Sequence, residues 1–189
     1  MKEIIKLGVI LLIITSVAGL ILGFTNDLTQ GIIQERALAE TREALIALLP
    51  EAEDFAIIDD EEMLSRRNIL EVYEGISNGE VIGYTVQVNP QGYDGRIKML
   101  VGISGEGRIT GVKVGEHTET PGVGSKIADA SFTNQFLDKS TEAEFIPTKG
   151  GETDDQYIEA ISGATVSSEA AVEGVNSARS LFEEVLKNR

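Results

Sequence analysis

Residues 68–88 read NILEVYEGISNGEVIGYTVQV. Two strand-like runs, Asn68–Ile76 and Val81–Val88, flank Ser77-Asn78-Gly79-Glu80. An Asn-Gly pair between such runs is a strong short-range signal for a tight hairpin. Asn89-Pro90-Gln91-Gly92 turns the chain again, and Ile97–Ile103 and Ile109–Val114 then flank Gly105-Glu106-Gly107. The spacing predicts a four-stranded antiparallel meander. Gly102, Gly105 and Gly107 do not have the spacing of a dinucleotide loop, and strands rather than a strand and a helix surround them. Downstream, helical periodicity covers Lys126–Leu137 and, more strongly, Ser168–Lys187. There Val172, Val175, Arg179, Phe182 and Leu186 share a face widened by Leu181 and Val185. Ser167 or Ser168 is the expected cap, with Glu169 in the first turn. The expected class is α+β, an antiparallel sheet with flanking helices over 68–189.

Upstream of the meander the character changes. Glu51–Arg67 is acidic around Asp59-Asp60-Glu61-Glu62. It has neither the spacing nor the sixth-position glycine of a calcium loop, so it reads as a solvated connector. Residues 28–49 carry Ile32, Ile33, Ala37, Leu38, Leu45 and Leu48 at helical spacing until Pro50; with the connector they form an expected stalk over 26–67. Before it, Leu7–Phe24 (LGVILLIITSVAGLILGF) holds no charge. At about 1.5 Å per residue this run, with Ile4 and Ile5, is long enough to cross a bilayer core. Ser16 and Ala18 resemble a signal-peptidase site, yet the apolar run continues beyond them through Gly19-Leu20-Ile21-Leu22, so the expectation is an uncleaved anchor over 1–25. Lys2 and Lys6 precede the span, and Thr25–Gln34 has no Lys or Arg. That asymmetry places the N-terminus in the cytoplasm and the folded domain on the extracytoplasmic face of the cell membrane.

Composition narrows the chemistry. The 189 residues hold 31 Asp and Glu against 16 Lys and Arg, a net charge of −15, so a nucleic-acid partner is not expected. With no cysteine and a single histidine, His117, the chain has no disulfide, no thiolate zinc or iron–sulfur site, no cysteine nucleophile and no paired-histidine metal or haem site. Chemistry is left to hydroxyls, carboxylates, backbone amides or an attached cofactor. A hydrolase is poorly supplied, since His117 is the only candidate base of its kind.

Two segments remain. Ile161–Ser168 (ISGATVSS) gathers four hydroxyls and a glycine immediately before the last helix. Such a segment reads either as a capping turn or as an anion site at a helix N-terminus. His117–Lys126 (HTETPGVGSK) specifies a tight, exposed path through Pro121-Gly122 and Gly124. Its Gly-Ser-Lys end lacks the adjacent Gly-Lys of a phosphate loop.

Ser162-Gly163-Ala164-Thr165 resembles the flavinylation motif of the FMN-binding domain family. That family includes the G subunits of Rnf complexes and the C subunits of sodium-pumping NADH:quinone oxidoreductases. Its pattern is Asp-x-x-[Ser/Thr]-Gly-Ala-Thr, with Glu159 here in the place of the leading Asp. His117–Gly124 is similar to the family's H-x-E-T-P-G-[LV]-G stretch, and the two motifs stand in the family's order. The likeness runs from about Val81 to the C-terminus, together with the anchor topology; the chain's length suits the Rnf G subunit better than the pump's C subunit. The resemblance implies FMN joined by a phosphoester to Thr165, after its hydroxyl attacks the FMN-side phosphorus of FAD and AMP departs on a separate flavin transferase. It implies Ser162, Gly163, Ala164, Glu119, Thr120, Gly122 and Lys126 as cofactor-site residues. Thr120 and backbone amides would meet the ring edge, and Lys126 would offset charge on reduced flavin. His117 is either a proton carrier or structural. The implied function is an electron relay among the membrane and redox subunits of a complex that couples ferredoxin and NAD to sodium-ion or proton movement. A membrane-anchored binding module without cofactor is the alternative from another class.

Overall fold

A computed structural model describes residues 2–152 and 154–189, with the backbone alone for 27–38. The chain divides into two compact units, Met1–Glu43 and Ala44–Arg189. Helix α1 runs from Lys2 to Leu48. Its stretch Lys2–Asn26 is exposed throughout, and it is long and apolar enough to cross a membrane. The side chains of Ile32, Ile33, Ala37 and Leu38, expected on the stalk's apolar face, lie outside the described residues.

The second unit is built on a five-stranded antiparallel sheet in the order β1-β2-β3-β4-β5. The strands are β1 (Asp54–Ile57), β2 (Ile69–Ser77), β3 (Glu80–Val88), β4 (Met99–Ser104) and β5 (Ile109–Val114). The expected meander is β2 to β5. At the β2–β3 hairpin Asn78 and Gly79 have φ of 52° and 81°, the paired left-handed geometry that a two-residue turn between twisted strands requires. The acidic stretch departs from a plain connector. Phe55 and Ala56 oppose Gly75 and Glu74, making β1 an edge strand, and Asp60 caps a helical turn, α2 (Glu61–Leu64), that buries Met63. Four residues between carboxylates carry too little alternation to announce a strand.

Each sheet face is covered differently. Val72, Val86, Val101 and Val112 oppose one another across β2 to β5, and they pack on α4 (Thr165–Glu184) through Ala171, Val175, Ala178, Leu181 and Phe182. The other face carries Gly75, Gly83, Gly102 and Gly111. A Cβ on any of them would come within 3.0 Å of Leu48 or Leu49, so the end of α1 lies against bare backbone. Beside this row the Tyr73 hydroxyl donates to Glu71 Oε2 at 2.5 Å. Burial, and then the adjacent carboxylate, push the Tyr73 phenol well above its ordinary range.

The helix expected over 126–137 is instead a 3-10 turn (Gly124–Ala128), a short α3 (Ala130–Thr133) and a second 3-10 turn (Asn134–Phe136). Asp129 is extended between the first two, with φ −72° and ψ 145°, and interrupts the helical run. Phe132 and Phe136 create the helical spacing, and they are buried in an edge-to-face stack with Phe145. A two-stranded parallel pair, β6 (Ile146–Thr148) and β7 (Tyr157–Glu159), leads into α4.

Candidate functional site

The last helix begins earlier than its periodicity suggests. Thr165, not Ser168, is its first residue, and Ala164 stands at the N-cap without a side-chain hydrogen bond. The change follows from where the serines point. The Ser168 hydroxyl, fully buried, donates to the Ala164 carbonyl at 3.0 Å and accepts from the Ile161 amide at 3.0 Å. The Ser167 hydroxyl donates to Glu119 Oε2. Neither serine caps the helix from outside; both lock its first turn from within. The chain enters through a turn closed by the Ala164 amide on the Ile161 carbonyl at 2.9 Å, with Gly163 at φ 81°. That third turn position needs a left-handed residue, which glycine adopts without strain. The consequence is a helix start whose first N–H groups have no intrahelical partner and, among the described residues, no side-chain cap.

These groups border a cleft of about 430 Å³ lined by Tyr93, Thr120, Val123, Gly124 and residues 163–167. Thr165 is exposed there, and its hydroxyl has no hydrogen-bonding partner among the described residues. Two loops form the opposing walls. In one, Gly122 (φ 75°) donates its amide to Ser125 Oγ at 2.8 Å, and the Ser125 amide returns to the Thr120 carbonyl at 3.2 Å. In the other, residues 91–96 form a tight bend in which the Gly92 amide donates to the Gly95 carbonyl at 2.7 Å.

Glu119 joins all three walls. It is 3% exposed. Its Oε1 accepts from the Asp94 amide at 3.1 Å, and its Oε2 accepts from Ser167. A Cβ on Gly124 would come within 2.8 Å of Ser167 Oγ and 3.0 Å of Glu119 Oε2. A buried carboxylate is costly without partners; here two donors and the positive end of α4 offset that cost.

The sequence-predicted residues therefore divide. Gly163, Ala164, Thr165 and Thr120 line the cleft. Glu119 is buried behind it as a brace. Gly122 and Lys126 are outside its lining, and Ser162 lines a separate groove with Gln135 and Glu159. In that groove Gln135 holds the Glu159 backbone from both sides, at 2.7 and 3.1 Å. His117 is half-buried, outside the cleft lining, and its Nδ1 has no partner among the described residues. Sequence reasoning missed Tyr93, an aromatic in a Pro/Gly turn with no motif around it. It also missed the Glu119–Ser167 link, a contact between distant segments that no local pattern encodes.

A family model described as the FMN-binding domain matches residues 92–180, a span that contains every wall of the cleft. The G subunit of the Na(+)-translocating ferredoxin:NAD(+) oxidoreductase complex of Acetobacterium woodii is 39% identical over 197 aligned residues, covering 98% of this chain and 95% of that protein. The chain belongs to the family of G subunits of ion-translocating oxidoreductase complexes. Its counterpart from the ion-translocating oxidoreductase complex of Methanosarcina acetivorans is 37% identical, with 94% of this chain and 93% of that protein covered. Among solved structures, the C subunit of the Na(+)-translocating NADH-quinone reductase of Parabacteroides distasonis superposes with a TM-score of 0.52 at 22% identity, over 63% of each chain. That likeness concerns the fold, and the α+β architecture of this family member agrees with it.

Proposed function

We propose that this chain is the flavin-bearing, electron-transferring subunit of an ion-translocating oxidoreductase complex, with FMN in the cleft and its phosphate esterified to Thr165. The observation that carries the reading is the free Thr165 hydroxyl on the uncapped first turn of α4, at the wall of a cleft of ligand-binding size. The residues fit the group. Unpaired amides and the helix dipole favour a phosphate at this point. Small residues, Gly163 and Ala164, let it approach the backbone. Tyr93, Val123 and Val166 supply apolar walls for a ring.

FMN supplies the redox chemistry when bound. The chain holds and orients it. Thr165 fixes the phosphate end, Thr120 offers a hydroxyl to the ring edge, and Glu119 holds the walls at their spacing while keeping its own charge buried. Gly122 shapes the loop, while Lys126 and Ser162 stand outside the cleft lining. A flavin transferase would load the chain from FAD. The partners are the other membrane and redox subunits, and the flow between ferredoxin and NAD is coupled to sodium-ion or proton movement. Residues 2–26 anchor the chain; Lys2 and Lys6 set the N-terminus in the cytoplasm and the FMN-binding domain outside.

The test is intact-mass determination on chain produced in membranes that contain the transferase. A single FMN-sized increment, accompanied by fluorescence in a denaturing gel, is expected. Both vanish in Thr165→Val, while the domain's melting transition stays in place. An unmodified parent chain overturns the reading. Protease added to intact spheroplasts should remove the folded domain; protection of that domain overturns the orientation.

A further inference from the structure

Three large apolar side chains stand in water around the cleft: Tyr93, Val166 and Val123 are 72%, 48% and 41% exposed. They come from three separate stretches of chain. Tyr93 is the least covered of them, and it stands in a bend whose neighbouring residues are hydrogen-bonded on both sides. Its bend is closed by Gly92 on Gly95 at 2.7 Å and by the Ile97 amide on the Pro90 carbonyl at 3.0 Å. On one side of it the Asp94 amide donates to Glu119 at 3.1 Å, and the Asp94 carbonyl accepts from the Thr118 hydroxyl at 2.8 Å. A Cβ on Gly92 would collide with Glu119 Oε1, so the bend rests directly on that carboxylate. Among the described residues, the ring of Tyr93 meets no other aromatic ring and its hydroxyl makes no hydrogen bond. A fixed backbone thus presents an uncommitted aromatic face at the mouth of the cleft.

We propose that Tyr93 is a positioning residue that stacks on the flavin ring and sets its potential; the proposal rests on the FMN reading given above. An aromatic ring gains from an offset partner at its face, and a platform already held in place loses little freedom on binding. With the phosphate end fixed at Thr165, the ring has only its orientation left to settle. Glu119 braces both the bend that carries Tyr93 and the helix that carries Thr165, so the two attachment points are held at one spacing. The face of a tyrosine ring is electron-rich. Stacked on a flavin it disfavours the negatively charged reduced form, and its loss therefore raises the midpoint potential.

The experiment compares the full chain, loaded in membranes that contain the transferase, with Tyr93→Phe and Tyr93→Leu. Intact mass first reports the FMN increment in each. Emission yield and midpoint potential are then measured on the loaded chains. The parent is expected to show strongly quenched emission, because a stacked phenol donates an electron to the excited flavin. Tyr93→Phe keeps the ring face without that donor, so it is expected to hold the parent's potential while emitting more brightly. Tyr93→Leu is expected to be several-fold brighter, with a potential shifted upward. A loaded Tyr93→Leu whose emission and potential match the parent overturns the stacking role while leaving the FMN reading intact. A parent chain without the increment overturns that reading and this inference together, so the mass spectrum separates the two failures.

Discussion

At its C-terminal end α4 buries Leu181 and Phe182, the latter edge-to-face with Tyr84 at a centroid distance of 6.2 Å. At its N-terminal end the same helix leaves Thr165 in water and its first amides uncapped. One end is closed with apolar bulk; the other is held by two internal serine hydroxyls and a carboxylate, and is open toward a cleft. The contrast teaches that this helix start is left unfinished only on its outward side. Ser167 and Ser168 supply the rigidity that a capping side chain would give elsewhere, without occupying the position an anion needs.

Substitutions along α4 test that contrast. The largest loss belongs to the closed end. Phe182→Ala removes a fully buried ring, and about 3–5 kcal/mol of unfolding free energy should go with it, read by denaturant titration. A loss below about 1 kcal/mol would mean that the packed end does not anchor the helix. Next comes the brace. Glu119→Ala strands the Ser167 hydroxyl and the Asp94 amide, at a cost of about 1–3 kcal/mol. Hydrogen exchange should rise in the 91–96 bend and the first turn of α4, and stay unchanged around Phe182. Exchange that rises evenly along the helix would erase the distinction between its ends.

A smaller effect is expected at Glu183, where Thr141 lies 2.5 Å from Oε1 and Lys187 lies 2.9 Å from Oε2. The hydrogen bond from Thr141, then that from Lys187, holds its carboxyl below the ordinary range. A carboxylate depressed in the folded state stabilises above its unfolded pKa, near 4.3, and that contribution fades as pH falls through the lower folded value. Glu183→Gln should therefore cost less than about 1 kcal/mol at neutral pH. The gap from the parent should close on acidification. Melting temperatures measured at neutral pH and below about pH 4 decide it; a gap that widens in acid contradicts the assignment. Smallest of all in stability is Thr165→Val, expected within about 0.5 kcal/mol of the parent because the side chain is exposed and unpartnered. A large destabilisation there would make Thr165 part of the scaffold.

Much of this arrangement was legible in the residues. Asn78-Gly79 announced the central hairpin, period-two runs announced β2 to β5, and Val172, Val175 and Phe182 announced the inner face of α4. Ile161–Ser168 was legible as either a cap or an anion site; both serines turn inward, and neither caps α4. Other features were hidden for physical reasons. The glycine row against Leu48 and Leu49 has no hydropathy signature, because closeness of approach is encoded by missing atoms. Strand β1, four residues long, is too short to show alternation. Phe132 and Phe136 mimic a helical stripe because their rings stack, while Asp129 interrupts the backbone between them and the preceding turn. Glu119 reads as one more surface acid until the fold brings Ser167 and the Asp94 amide to it.

The cleft has no wall of its own making. Tyr93, Val123 and Thr165 meet only when the meander, the crossing loop and the closing helix have all come together, and Glu119 reaches its donors only then. On the reading proposed above, a partly folded chain offers a loading enzyme a threonine but no seat. Cofactor attachment thereby becomes a checkpoint in biogenesis: a yellow protein is one that has already completed its long-range assembly.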